Sequence, residues 1–501
     1  MKLTVIPILA LGVTAITATA ASADVNAREV WEAWKSMSGH VGQTLAAGSE
    51  DMDGNTLVLG DVTATSIQSE ANATSRVEWI RLRERGDGTV EMTMSPDQRV
   101  VGSAEAEDGK PAEFDITLSY DDYRVLISGT PERMIHDYEI GRLGIDDASI
   151  EVEGEQAPLV LNFTLTSLAG QYIAENIGGP KLRLTGDGTA DSMKVKINFV
   201  DPSKDSTLDM DIAATGIAAT FSGDLVNMAT VVNPFAAGGS YRFDSEVATM
   251  TSAVEVVEDG ETVQVESVGK AGTFDLSAAA EELSYASDVE SLDYTIRASE
   301  MPFPELKASI GRTAFKLLFP TAKTEEPRDF ELLYSMRDLV IDERLWMMLD
   351  PGNALEHGPA TLIVDLTGKA RMLVDMMSNP HAMENLDGPP AELEELKLRK
   401  LQLTVGGAEL TGDGAFTFDN SKTEMMNGFP QPDGAVDLKL VGGNALLDNL
   451  VKMGLVPEEQ MMGVRMMMAM FTVPGQDADT VTSRIEVTPE GKILANGQPL
   501  N

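Results

Sequence analysis

The sequence predicts a mainly β protein, built of extended, curved antiparallel β-sheets with short amphipathic helices packed on them. Two observations predict it. Apolar residues recur two apart along most of the chain, as in Leu159-Leu161-Phe163-Leu165, Val195-Ile197-Phe199, Leu362-Val364-Leu366 and Leu438-Leu440. Turn formers separate these runs, at 107–110, 258–261 and 489–492. Many short strands joined by tight turns make an antiparallel meander.

The start of the chain carries an export signature. Lys2 precedes an apolar run over 5–16, and Ala21-Ser22-Ala23 forms a small-residue cleavage site before Asp24. Residues 1–23 are therefore expected to be a signal peptide cleaved after Ala23, and the mature chain to be periplasmic. The run is too short to span a bilayer, and no later stretch is long and apolar enough, so the mature chain is not expected to be an integral membrane protein. With no cysteine, a disulfide framework, a thiolate metal site and a Cys nucleophile are all excluded.

Eighty acidic residues against 38 basic ones give a formal charge of -42. Such a surface repels phosphate backbones, which excludes nucleic acid as a partner. It also serves solubility in external salt.

Taken in order, residues 26–47 read as a helix. Val30, Trp31, Trp34, Met37, Val41 and Leu45 share one face, with the two tryptophans anchoring it on a sheet. Further helices are expected over 304–319, 339–349 and 445–455. A strand ending at glycine and turning into a short apolar helix recurs at 364–376 and 438–450, with a looser copy at 161–177. The polar stretch 320–327, bracketed by prolines, divides a β-rich region at 24–320 from a second at 321–501. Gly-Asp-Gly occurs at 86–88, 186–188 and 412–414. Asp-Gly suits a hairpin turn, which is the expectation at Gly86. At the other two the apolar phase runs straight through the glycines, so a turn and a strand bend stay open.

Chemistry is sparse. His40, His136, His357 and His381 lie far apart without ligand spacing and are expected on the surface. No nucleophile elbow, P-loop or dinucleotide fingerprint is present, so no catalytic residue, cofactor or metal is assigned and the protein is expected not to be an enzyme. Scattered carboxylates leave a hydrolase as the least favoured class. The compositional oddity is methionine at 461–471. On a helix Met462, Met466 and Met470 form one stripe, and Met461, Val464, Met468 and Phe471 another. Three readings compete: irregular core packing, an adaptable apolar lining for lipid or hydrophobic peptide, and a soft-metal site on thioethers. The candidate groove lining is Met461, Met462, Met466, Met468, Met470 and Phe471.

Several passages together resemble a family. They are Val30-Trp31 with Trp34, Gly86-Asp87-Gly88-Thr89-Val90, Gly170-Gln171-Tyr172, Met301-Pro302-Phe303-Pro304, Ala408-Glu409-Leu410-Thr411-Gly412 and Leu494-Ala495-Asn496-Gly497-Gln498. In combination they resemble the alphaproteobacterial exported family known as domain of unknown function 2125. The resemblance implies an uncharacterised envelope protein and carries no catalytic residue. Two functions follow as expectations. One is a non-enzymatic envelope factor whose curved sheet offers an apolar groove to lipid or a hydrophobic polypeptide. The other is an envelope scaffold that binds another protein and fills its own grooves.

Overall fold

A computed structural model describes residues 24–500, apart from 68–70, 106–110, 153, 202–204, 229–230, 232, 378, 380–385, 387 and 424–428. The expected leader, the turn at 107–110 and His381 lie outside the described residues. Strands account for about 66% of the chain and helices for 10%. The strand-rich expectation holds, with every described ladder antiparallel. Contacts divide the chain into two compact units: residues up to 279 with 297–300, and 280–296 with 301–501.

The first unit is a meander with one branch. Strands Ala71–Glu84 and Arg133–Val152 are long enough for each to pair with two short strands end to end. Val90–Met94 and Asp97–Glu105 lie along the first, and Arg124–Thr130 and Pro111–Asp121 along the second. From there Leu159–Glu175, Lys181–Asp201, Ser206–Val226, Ser240–Glu258 and Glu261–Ala278 pair in sequence order. The second unit repeats that plain order through Leu306–Pro320, Arg328–Ile341, Ala360–Met372, Ala391–Val405, Ala408–Asp419, Gln431–Val441 and Thr480–Val487. Residues 321–327 join two of these strands.

The strands are longer than the short runs the sequence displays, reaching 21 residues. The reason is a shared slip of phase. Apolar spacing steps by three instead of two at Leu165 to Leu168, Ala190 to Met193, Ala214 to Ile217 and Val247 to Met250. These steps fall on one line across the sheet, where the ladder passes over residue 216 and its neighbour 248. Ser167, Gly216 and Ala271, on alternate strands of that line, have φ of 53°, 59° and 49°. One residue in the left-handed region breaks the pleat, so the side chains beyond it return to the same face.

The same device corrects two expectations. Residues 304–319 form a strand, Leu306–Pro320, not a helix. The step from Ile310 to Thr313, with Gly311 packed against Asp338 (φ 57°) on the next strand, imitates helical spacing within an otherwise period-two run. Likewise 161–177 is an uninterrupted strand through Gly170. Of 339–349 only Glu343–Leu349 is helical, and the chain after Met372 bends without forming the expected helix.

Among the described residues four helices remain: α1 (Ala27–His40), α2 (Glu343–Leu349), α3 (Gly443–Lys452) and α4 (Glu458–Phe471). A reciprocal capping box starts α1, the Asn26 side chain accepting from the Glu29 amide and the Glu29 carboxylate from the Asn26 amide. The helix is shorter than 26–47 because Gly42, at φ 72°, turns the chain out of it. Residues Gln43–Ala46 then pair with Thr56–Ile67 as a strand. Asp479 holds the start of α3 by accepting the amides of Asn444 and Ala445 at 3.1 and 2.9 Å.

Candidate functional site: bare apolar sheet faces and a methionine helix

Residues paired across an antiparallel ladder share a face, so the register shows what each face carries. In the first unit one face bears rungs such as Leu159–Phe199–Leu208–Val256–Val263 and Leu161–Ile197–Met210–Val254–Val265. Beyond the phase slip it continues as Tyr172–Gly186–Phe221–Phe243–Leu276. The opposite face reads Asn162–Lys196–Asp211–Ala253–Glu266. One side is hydrocarbon and the other is polar.

Helix α1 covers one end of that apolar face. The rung Leu57–Leu82–Met92–Val125–Tyr138–Gly170 lies under it and is buried from Leu57 to Tyr138. Val30 and Trp31 are fully buried against this cluster. The Trp31 indole donates to Glu50 at 2.7 Å. The expectation that the tryptophans anchor the helix on the sheet is met. Farther along, the face loses its cover: Phe199, Val256 and Val263 are 37%, 38% and 44% exposed.

The second unit has the same asymmetry over eight strands. One rung reads Tyr285–Leu317–Leu332–Leu366–Leu398–Gly414–Val436–Ile485, and the next Ser287–Phe315–Tyr334–Val364–Leu401–Gly412–Leu438–Ser483. No side chain in these two rungs is buried except Ser483. Packed cores do not look like this; an apolar layer one sheet thick is left half open to water.

Glycines on these faces sit beneath aromatic rings from the neighbouring strand. Gly170 lies under Tyr138, Gly186 under Phe221 and Gly368 under Phe330. At 186–188 and 412–414 the Gly-Asp-Gly segments are therefore continuous strand, their glycines marking close approach. At 86–88 the chain turns, with Gly88 at φ 80°. A Cβ at residue 186 has no room beneath the Phe221 ring. Gly186→Ala is expected to cost about 1–3 kcal/mol through overpacking, read as a lower urea midpoint at unchanged slope.

The methionine helix α4 is held by its C-terminal end, one ion pair and one stripe. Met461 is buried, and Val464 and Met468 are half-buried behind it. The carbonyl of Phe471 accepts from the Ser483 hydroxyl at 2.6 Å and from the Asn496 amide at 3.0 Å. Arg465 pairs with Asp448 of α3. The other stripe faces solvent: Met462, Met466 and Met470 are 73%, 65% and 64% exposed, with Met467 at 59% beside them and Phe471 partly exposed.

The histidines depart from the surface expectation. His40 is buried, its ring nitrogens 3.2 and 3.0 Å from the carbonyls of Ser36 and Gly179. His136 is fully buried, stacked on Tyr172 with 4.1 Å between centroids, and its Nε2 accepts from the Trp34 indole. Burial pushes its imidazole down to about 3. His357 stacks on Trp346 and lies between Glu343 and Asp350. These rings join elements together, which isolated histidines in a sequence do not reveal. Among the described residues no group of His, Asp and Glu is arranged to hold a metal.

No described helix is long and apolar enough to cross a membrane. No curated protein and no solved structure matches the chain. Residues 209–495, which run from the last third of the first unit nearly to the end of the second, match a family described as an uncharacterized protein conserved in bacteria (DUF2125). More than half the chain is matched, and the protein belongs to that family.

Proposed function

We propose that this is a non-enzymatic protein of the bacterial envelope that holds the hydrocarbon part of a lipid against its bare apolar sheet faces. The observation that carries the reading is the run of uncovered apolar rungs across eight strands of the second unit. An apolar face of that extent gains from any occupant that displaces water. Within it the strand amides are already paired to neighbouring strands. An extended peptide laid across it would leave its own amides unsatisfied, whereas an acyl chain has none. The export signature read at 1–23 supports a periplasmic setting for this activity.

A second reading keeps the same face and changes the occupant to an apolar helix of another envelope protein. It is favoured by α1, a helix that covers the corresponding face of the first unit.

The test is native mass spectrometry with lipid extraction on the mature chain, purified from its own periplasm without detergent. A bound lipid is expected. Leu366→Lys, which sets a charge in the middle of a rung, is expected to weaken uptake by about tenfold or more, since a charge beside hydrocarbon costs at least ~1.4 kcal/mol. A chain that carries no lipid and takes up no labelled fatty acid overturns the lipid reading. A reproducible crosslink from this face to one envelope protein would then support the second.

A further inference from the structure

Helix α4 poses a problem that the sheet faces do not solve. Its inward stripe of Met461, Val464 and Met468 accounts for its packing. The outward stripe nevertheless consists of thioethers, at Met462, Met466 and Met470 with Met467 alongside, each more than half exposed. A solvated helix face needs Glu, Lys or Ala. Methionine also lines adaptable apolar surfaces, but here no Leu or Ile accompanies it anywhere on α4. What these positions share is sulfur.

We propose that the outward face of α4 binds a soft monovalent metal ion, Cu(I), through methionine thioethers alone. The helical register brings the sulfurs within reach of one another. Met466 and Met470 are one turn apart, and Met467 and Met470 are three residues apart, so their Cβ atoms are about 5–6 Å from each other. Unbranched side chains with three rotatable bonds close that gap onto one ion. Met462 lies one turn before Met466 and offers a fourth sulfur. Thioethers are soft, neutral donors and select Cu(I) over the hard divalent cations. In a chain without cysteine they are the soft donors available.

The surroundings agree with a cation. Arg465, the one positive side chain on α4, is paired with Asp448 and so is compensated. A Cβ built on Gly463, on the same side of the helix, would meet no described atom within 4 Å. A formal charge of -42 raises the local concentration of cations and offsets the positive charge that neutral ligands leave on the ion. This site is independent of the lipid reading, because it lies on the helix surface rather than on the sheet.

The experiment titrates the mature chain with Cu(I) alone, kept reduced under nitrogen with ascorbate, against the chelator bicinchoninate. Withdrawal of one Cu(I) per chain is expected, with only sulfur neighbours in the X-ray absorption spectrum. The double variant Met466→Leu with Met470→Leu keeps size and helix propensity on an exposed face. It is expected to lose about tenfold or more in affinity, a change of ~1.4 kcal/mol, with an unchanged far-UV circular dichroism spectrum. Met461→Leu, on the buried stripe, is expected to bind as the parent does. The proposal is overturned by a parent chain that withdraws no Cu(I), by oxygen or nitrogen neighbours around the metal, or by a double variant of undiminished affinity.

Discussion

Replacing Trp31 by alanine is expected to lower the stability of the first unit by about 3–5 kcal/mol, the range for emptying an aromatic side chain from a packed core. The indole is fully buried where α1 meets Leu57, Leu59 and Leu82, so the cavity would be lined by strand residues already fixed in their ladder. Such a site collapses poorly. The change also removes the donor to Glu50 at 2.7 Å, and Lys35 loses the ring 5.3 Å from its ammonium. Trp31→Phe keeps most of the volume and is expected to cost about 1–2 kcal/mol, chiefly the lost hydrogen bond. Urea unfolding followed by circular dichroism distinguishes the two. Equal losses for both variants would mean that the hydrogen bond, and not the packing, holds α1 in place.

The strand-rich class was legible because period-two alternation survives in nearly every strand. Strand length was not, because each slip to a spacing of three looks locally like the end of a strand or the start of a helix. At Leu306–Pro320 the slip at Ile310 to Thr313 turned a strand into an expected helix. A left-handed Ser167 or Ala271 carries no composition signal of the kind a glycine gives.

The rungs were hidden for a different reason. Tyr285 and Ile485 share a rung through six intervening strands, and no local pattern states which strands are neighbours. On α4 the two methionine stripes could be read from spacing, but both are apolar, so hydropathy could not say which one faces water. The residues around His136 come from α1 and two strands, and only the assembled sheet brings them together.

That cluster leads to the second large effect. Trp34 donates to His136 Nε2 at 3.2 Å, so the neutral ring carries its proton on Nδ1, a buried atom with no hydrogen-bond partner. Tyr172 lies flat against the ring, and burial raises its hydroxyl well above the ordinary tyrosine range. Burial holds the folded-state pKa down at about 3. An unfolded histidine takes up a proton near about 6.5. Between these values the unfolded chain binds one more proton than the folded chain, so stability rises with pH across this window. The contribution is complete above the unfolded value and is lost as pH falls, by about 1.4 kcal/mol per pH unit and about 2 kcal/mol between pH 7 and 5. Full loss, about 4–5 kcal/mol, would come only near the folded value, where carboxylates also titrate. His136→Phe removes the titration while keeping a ring against Tyr172. Its urea midpoint is expected to be nearly flat from pH 6.5 to 5, where the parent's falls. Equal slopes in the two proteins would show that the imidazole accepts its proton without opening α1, and that the Trp34–His136–Tyr172 contact does not sense acid.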